Sequence, residues 1–120
     1  MPPQDRHPLV YKIATASQWD AAVARGAYDG SADDRRDGYI HLSTAGQLAG
    51  TLAKHFRGQA ALHLIAFNAA ALGPALQWET SRGGDLFPHL YATLDPRLAL
   101  WQRPIPIGRD GVPTVPEDIV

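Results

Sequence analysis

Three side chains in this chain of 120 residues are the candidates for chemistry that moves protons near neutral pH: His41, Glu79 and His89. A histidine donates or accepts a proton close to pH 7, and as a hydrogen-bond donor it fixes a ribose or a phosphate. Each histidine sits in a short apolar run, Gly38-Tyr39-Ile40-His41-Leu42-Ser43-Thr44 and Leu86-Phe87-Pro88-His89-Leu90-Tyr91. A strand sends alternate side chains to opposite faces. Ile40 and Leu42 therefore point one way, and His41 and Ser43 point the other, as in the wall of a pocket. Glu79 follows Trp78 and precedes the Ser-Arg-Gly-Gly stretch at 81–84, where a strand-end carboxylate can orient a sugar hydroxyl or stabilise a cationic transition state.

Other groups can complete such a site. Lys12, in mid-strand between Tyr11 and Ile13, can pair with a phosphate or simply face solvent. Arg35, Arg36 and Arg82 are loop cations able to clamp an anion, and Arg82 is counted with the ligand-binding set. Ser43, Thr44, His89 and Tyr91 complete that set. Thr44 is equally suited to cap a helix, and His89, following a proline, can equally face solvent. Two histidines and a glutamate on separate segments, with no H-x-H or H-E-x-x-H, argue against a metal.

The elements that must position these residues follow from the pattern. Leu9–Ala14 reads as a first strand. Thr15 or Ser17 can cap the next helix, Ser17-Gln-Trp-Asp20 resembling a capping box, and that helix runs over 18–25, with Trp19, Ala22 and Val23 as its buried stripe. Residues 26–37 form a charged loop, 38–42 a second strand, and 45–56 a second helix with Leu48, Leu52 and Phe56 in step. Strands follow at 62–67, 76–79, 87–93 and 99–102. Pro88 restricts the strand over 87–93 to a sheet edge or a strand start. Trp19, Trp78, Phe87 and Trp101 read as core. Short links between the late strands give an α+β class with a mostly antiparallel sheet and two N-terminal helices. Residues 1–8 form a loose arm, 9–102 a single globular domain, and 103–120 a proline-rich extended tail.

Composition narrows the partners. The formal net charge of −1 leaves no electrostatic footprint for duplex nucleic acid or an anionic membrane, while a small phosphorylated ligand remains open. The chain has no cysteine, hence no disulfide, thiolate metal site or cysteine nucleophile. No apolar run approaches the roughly 20 residues of a membrane span, and no signal-peptide pattern opens the chain. The expected location is the cytoplasm. No dinucleotide fingerprint, phosphate-binding loop or G-x-S-x-G is present.

Val10-Tyr11-Lys12-Ile13, Trp19, Tyr28-Asp29-Gly30-Ser31, Asp37-Gly38-Tyr39-Ile40-His41-Leu42-Ser43-Thr44, Gln47, Trp78-Glu79 and Phe87-Pro88-His89-Leu90-Tyr91 resemble the pattern of the bacterial "domain of unknown function 952" family. The likeness covers about residues 9–102. More distantly, the order of a Tyr-containing strand, helix, loop and Ile-His-Leu-Ser is similar to the RNA 2′-phosphotransferase branch of the ADP-ribosyltransferase-like superfamily. That resemblance implies a split sheet around a cleft that binds NAD. His41 would line its nicotinamide-ribose part, and Glu79, or a residue between Phe87 and Tyr91, would come from the later strands. Lys12 departs from the pattern, standing where that superfamily's first strand carries His-Gly-Thr. Three readings follow. One is a module binding a nucleotide or phosphorylated small molecule without turnover. Another is an active NAD-dependent transferase of ADP-ribosyl or 2′-phosphate groups. The last is a small hydrolase or isomerase with His41 and Glu79 as its acid–base pair.

Overall fold

Strand β1 (Leu9–Thr15) is engaged along both edges in the computed structural model, which describes residues 9–116 and 119. On one edge it pairs antiparallel with β3 (Leu62–Asn68) over its full length, and β3 pairs onward with β6 (Ala99–Pro104). On the other edge it meets Ser43 at one bridge, where Tyr11 N–H donates to Ser43 C=O at 2.8 Å and Ser43 N–H returns the bond at 3.0 Å. Ser43 follows β2 (Ile40–His41), which belongs to a second antiparallel sheet, β2-β5-β4, with β4 spanning Leu76–Thr80 and β5 Leu86–Leu90. The architecture is α+β, two three-stranded antiparallel sheets joined at the Tyr11–Ser43 bridge.

Both faces of β1 are buried, which accounts for its nearly continuous apolar sequence. Val10 and Ala14 join Trp19, Tyr28, Ile40, Leu42, Phe67 and Leu90 in one core. Tyr11 and Ile13 join Leu48, Leu52, Leu62 and Leu64 in the other. The alternation expected of β2 holds: Ile40 and Leu42 are core residues, leaving His41 and Ser43 for the opposite face.

Among the described residues there are three α-helices where the sequence suggested two. Helix α1 (Ala16–Arg25) begins earlier than its pattern indicated. Of its two candidate caps Thr15 is the one used, forming a capping box with Gln18, and the Ser17–Asp20 box does not form. Val23 is exposed, since Trp19 and Ala22 alone face the core. Helix α2 (Ala32–Asp37) lies within the stretch read as a loop. A 3-10 turn (Ala45–Gln47) leads into α3 (Leu48–His55), which buries Leu48 and Leu52.

Pro88 lies in the central strand of its sheet and not at an edge. Its carbonyl accepts from Leu42 N–H at 3.1 Å, just where the two-residue β2 ends, so the missing proline N–H removes at most one ladder bond. Trp19 is fully buried, whereas Trp78, Phe87 and Trp101 are only partly buried.

Past residue 102, Arg103 and Pro104 complete β6, and Ile105 is buried, its N–H donating to Leu62 C=O at 2.9 Å. Val115 and Ile119 pack against the second core. The arm expected at residues 1–8 lies outside the described residues. Among the described residues no helix is long and apolar enough to cross a membrane.

Candidate functional site

The site is organised by Asp34, in the middle of α2. Ser31 caps this helix, its hydroxyl accepting from Asp34 N–H at 3.2 Å, while Asp34 Oδ2 accepts from Ser31 N–H at 2.9 Å. Gly38, in the left-handed conformation at φ 87°, closes the helix. Buried to 2% exposure, the Asp34 carboxylate receives three further contacts. Lys12 Nζ donates to Oδ2 at 2.8 Å. The backbone N–H of His41 donates to Oδ1 at 3.0 Å, and His41 Nδ1 lies 2.6 Å from that same oxygen. Burial alone would raise the pKa of Asp34. The hydrogen bonds from His41, Lys12 and Ser31, with the Lys12 charge, outweigh it and hold the carboxyl well below the usual carboxylate range. Burial lowers the pKa of Lys12, and its contact with Asp34 opposes that shift.

This packing requires glycine at position 30. Gly30 has φ 108°, and a Cβ there would lie 2.8 Å from the Cβ of Asp34.

His41 is thus fixed at both its backbone and its Nδ1, and its Nε2 lies 3.0 Å from Asp37 Oδ2. Directly across the β2–β5 ladder stands His89, only 5% exposed, its ring centroid 5.7 Å from that of His41. Glu79 Oε1 lies 2.8 Å from His89 Nδ1 and accepts from the Tyr91 hydroxyl at 2.6 Å. These two bonds, Tyr91's first, lower the pKa of Glu79, and Glu79 pushes that of Tyr91 up to about 12. A carboxylate only accepts, so the His89 proton belongs on Nδ1, leaving Nε2 an acceptor in the neutral ring. Tyr39 packs over the group, stacked on His89 with centroids 4.0 Å apart and tilted against His41 and Tyr91.

A cavity of about 640 Å³ opens beside this pair. Its wall includes Lys12, His41, Ser43 and His89 from the residues singled out in the sequence. Gln47, Thr51 and Lys54 add an amide, a hydroxyl and a charge. Lys12 reaches the wall with its amine already bonded to Asp34 and to His41 C=O. Thr44 heads the 3-10 turn, its N–H donating to Gln47 Oε1 at 3.0 Å, which is a helix-start role. Glu79 and Tyr91 connect to the cavity through His89 and are not part of its lining. Glu79 therefore partners His89, and the carboxylate partner of His41 is Asp34. The backbone of Arg82 lies in a 3-10 turn (Arg82–Gly84), while its side chain lies outside the described residues. Among the described residues no cluster of three or more His, Cys, Asp or Glu is arranged to hold a metal ion.

Asp34, Asp37 and Tyr39 are among the site residues that sequence reasoning did not single out. Their signal is local. Ser31-Ala-Asp-Asp34 is a capping-box variant and Gly38 a helix stop. Together they mark a helix that carries an inward carboxylate seven residues ahead of His41.

A small α+β protein with paired histidines on the wall of a split-sheet cavity is the class that fold and site define. The chain belongs to the DUF952 family, described as a protein of unknown function, whose model matches residues 13–101. It is similar to protein CC0527 from Caulobacter crescentus. The crystal structure of that protein is 49% identical, with a TM-score of 0.86 over 88% of this chain and 93% of that one. Its solution NMR structure gives 49% identity and a TM-score of 0.80 over 88% and 91%. Among curated proteins no relative matches the chain.

Proposed function

We propose that this protein binds a nucleotide or another phosphorylated small molecule in an ADP-ribosyltransferase-like cleft, with His41 and His89 against the ligand. The observation that carries this reading is the cross-strand histidine pair on the wall of the cavity, each ring held at Nδ1 by its own carboxylate. A ring fixed in this way, as at His89, presents its remaining nitrogen without an ordering cost at binding, while Nε2 of His41 faces Asp37. The cavity volume lies in the range typical of small-molecule sites. Ser43 and Thr51 supply hydroxyls for a ribose, and Lys54 supplies a charge for a phosphate. Two antiparallel sheets meeting at one bridge agree with a split sheet around a cleft.

Binding is favoured over NAD-dependent transfer. Transfer at the nicotinamide ribose needs a carboxylate beside a cationic centre, and the one to which the superfamily resemblance points, Glu79, has Oε1 engaged by His89 and Tyr91 away from the lining. The second reading is an acid–base hydrolase or isomerase, favoured by the two histidine–carboxylate pairs. In it His41 and His89 are the proton carriers, with Asp34 and Glu79 as their respective supports.

A thermal-shift titration with NAD, ADP-ribose, nicotinamide, AMP and inorganic phosphate tests the proposal, because binding to the folded state raises the midpoint by mass action. The expected result is a saturable rise with at least one phosphorylated compound, absent in His41→Ala. Nicotinamide release would mark the transferase, and no shift with any compound at millimolar concentration would refute binding.

A further inference from the structure

We infer that the Nε2 edge of His41 and the guanidinium of Arg36 form a seat for an anionic oxygen, which Asp37 fills from within the chain and which a ligand's phosphate takes by displacing that side chain. The inference deepens the proposed function and rests on its reading of the cavity as a site for phosphorylated molecules.

The two carboxylates that flank His41 are not alike. Asp34 is buried and accepts from four donor groups, so it is part of the framework. Asp37 is 32% exposed at its side chain and, among the described residues, is held only by His41 and the well-exposed Arg36. It is also the last residue of α2, the helix end where unpaired carbonyls disfavour a negative charge. Among the described residues no buried group fixes it in place.

The groups it touches are those that suit a phosphate oxygen. His41 Nε2 is 3.0 Å from Asp37 Oδ2, and its direction is preset by the Asp34 contacts on the other side of the ring. Arg36 Nε donates to Asp37 Oδ1 at 3.1 Å, and a guanidinium offers a fork matched to carboxylate or phosphate. Arg36, Asp37 and His41 all line the cavity. Two further charges beside it are paired, Lys12 with Asp34 and Asp33 with the second arm of Arg36. A carboxylate that swings aside thus leaves His41 and Arg36 facing the incoming anion.

Calorimetric titration of AMP and of inorganic phosphate into the wild type, Asp37→Asn and Asp37→Ala tests the seat. Removing the internal competitor is expected to tighten binding of both probes about fivefold in each variant. His41→Ala introduced into Asp37→Asn is expected to abolish that gain. Asp37 is exposed enough that both variants should melt within a few degrees of the wild type. Equal or weaker binding by both variants, with the wild type still binding, overturns the seat and leaves the binding reading intact. Silence from all three proteins toward both probes overturns both.

Discussion

Oδ1 of Asp34 meets His41 twice, at the backbone N–H at 3.0 Å and at the ring Nδ1 at 2.6 Å. One buried oxygen thereby fixes both where β2 lies and how its histidine is turned. The other oxygen of the same carboxylate holds Lys12, so β1, α2 and β2 converge on a single group.

Asp34→Asn should therefore be strongly destabilising. It strands the Lys12 ammonium, which is 5% exposed at its side chain. Breaking a buried pair by removing one partner costs about 3–5 kcal/mol. The double variant Lys12→Met/Asp34→Asn leaves no uncompensated charge, although its single amide oxygen can accept from only one side, Ser31 or His41. It should lose less than Asp34→Asn alone, as read by urea denaturation of all four members of the cycle.

Acid should weaken the fold through the same group. The folded-state pKa of Asp34 is held below that of the unfolded chain, so the unfolded chain takes up its proton first as pH falls. The contribution is fully present above about pH 4 and declines below it. Urea midpoints measured from about pH 6 to about pH 2.5 should fall more steeply for the wild type than for Asp34→Asn, in which position 34 cannot titrate.

Gly30→Ala should cost about 1–3 kcal/mol, because alanine is strained at φ 108° and its methyl would press on the Cβ of Asp34. The displacement should also reach His41. Thermal melting reads the first effect, and a change in the His41 imidazole resonances reads the second.

Tyr28 is 3% exposed, and its hydroxyl has no hydrogen-bond partner among the described residues. Burial raises its pKa. Leaving a buried donor unpaired carries a desolvation penalty of about 1–3 kcal/mol. Tyr28→Phe keeps the ring against Trp19 and removes that group, so the melting temperature should stay level or rise. A clear loss of stability would point to a partner for the hydroxyl.

Much of this was legible in the sequence because it depends on local periodicity. Alternation alone separates His41 and Ser43 from Ile40 and Leu42, and the step of four from Leu48 to Leu52 marks the buried side of α3. What sequence reasoning missed depends on long-range contacts. Lys12 looks like a solvent-facing strand lysine until α2, more than twenty residues on, places a carboxylate over it. Pro88 reads as an edge residue because its sequence does not reveal that the neighbouring strand ends at His41. His89 follows a proline and could face water, yet it is buried under Tyr39 and tied to Glu79. The helix that carries Asp34 has only six residues and no apolar stripe, so its capping signals were its only trace.

The most direct test of the central claim is a titration of AMP followed through the histidine imidazole resonances. The account predicts saturable shifts at His41 and His89, with His63 unmoved as an internal reference, since it lies on β3 and contacts Gln102 on β6. Saturable shifts that bypass both His41 and His89, or none at all, would contradict it.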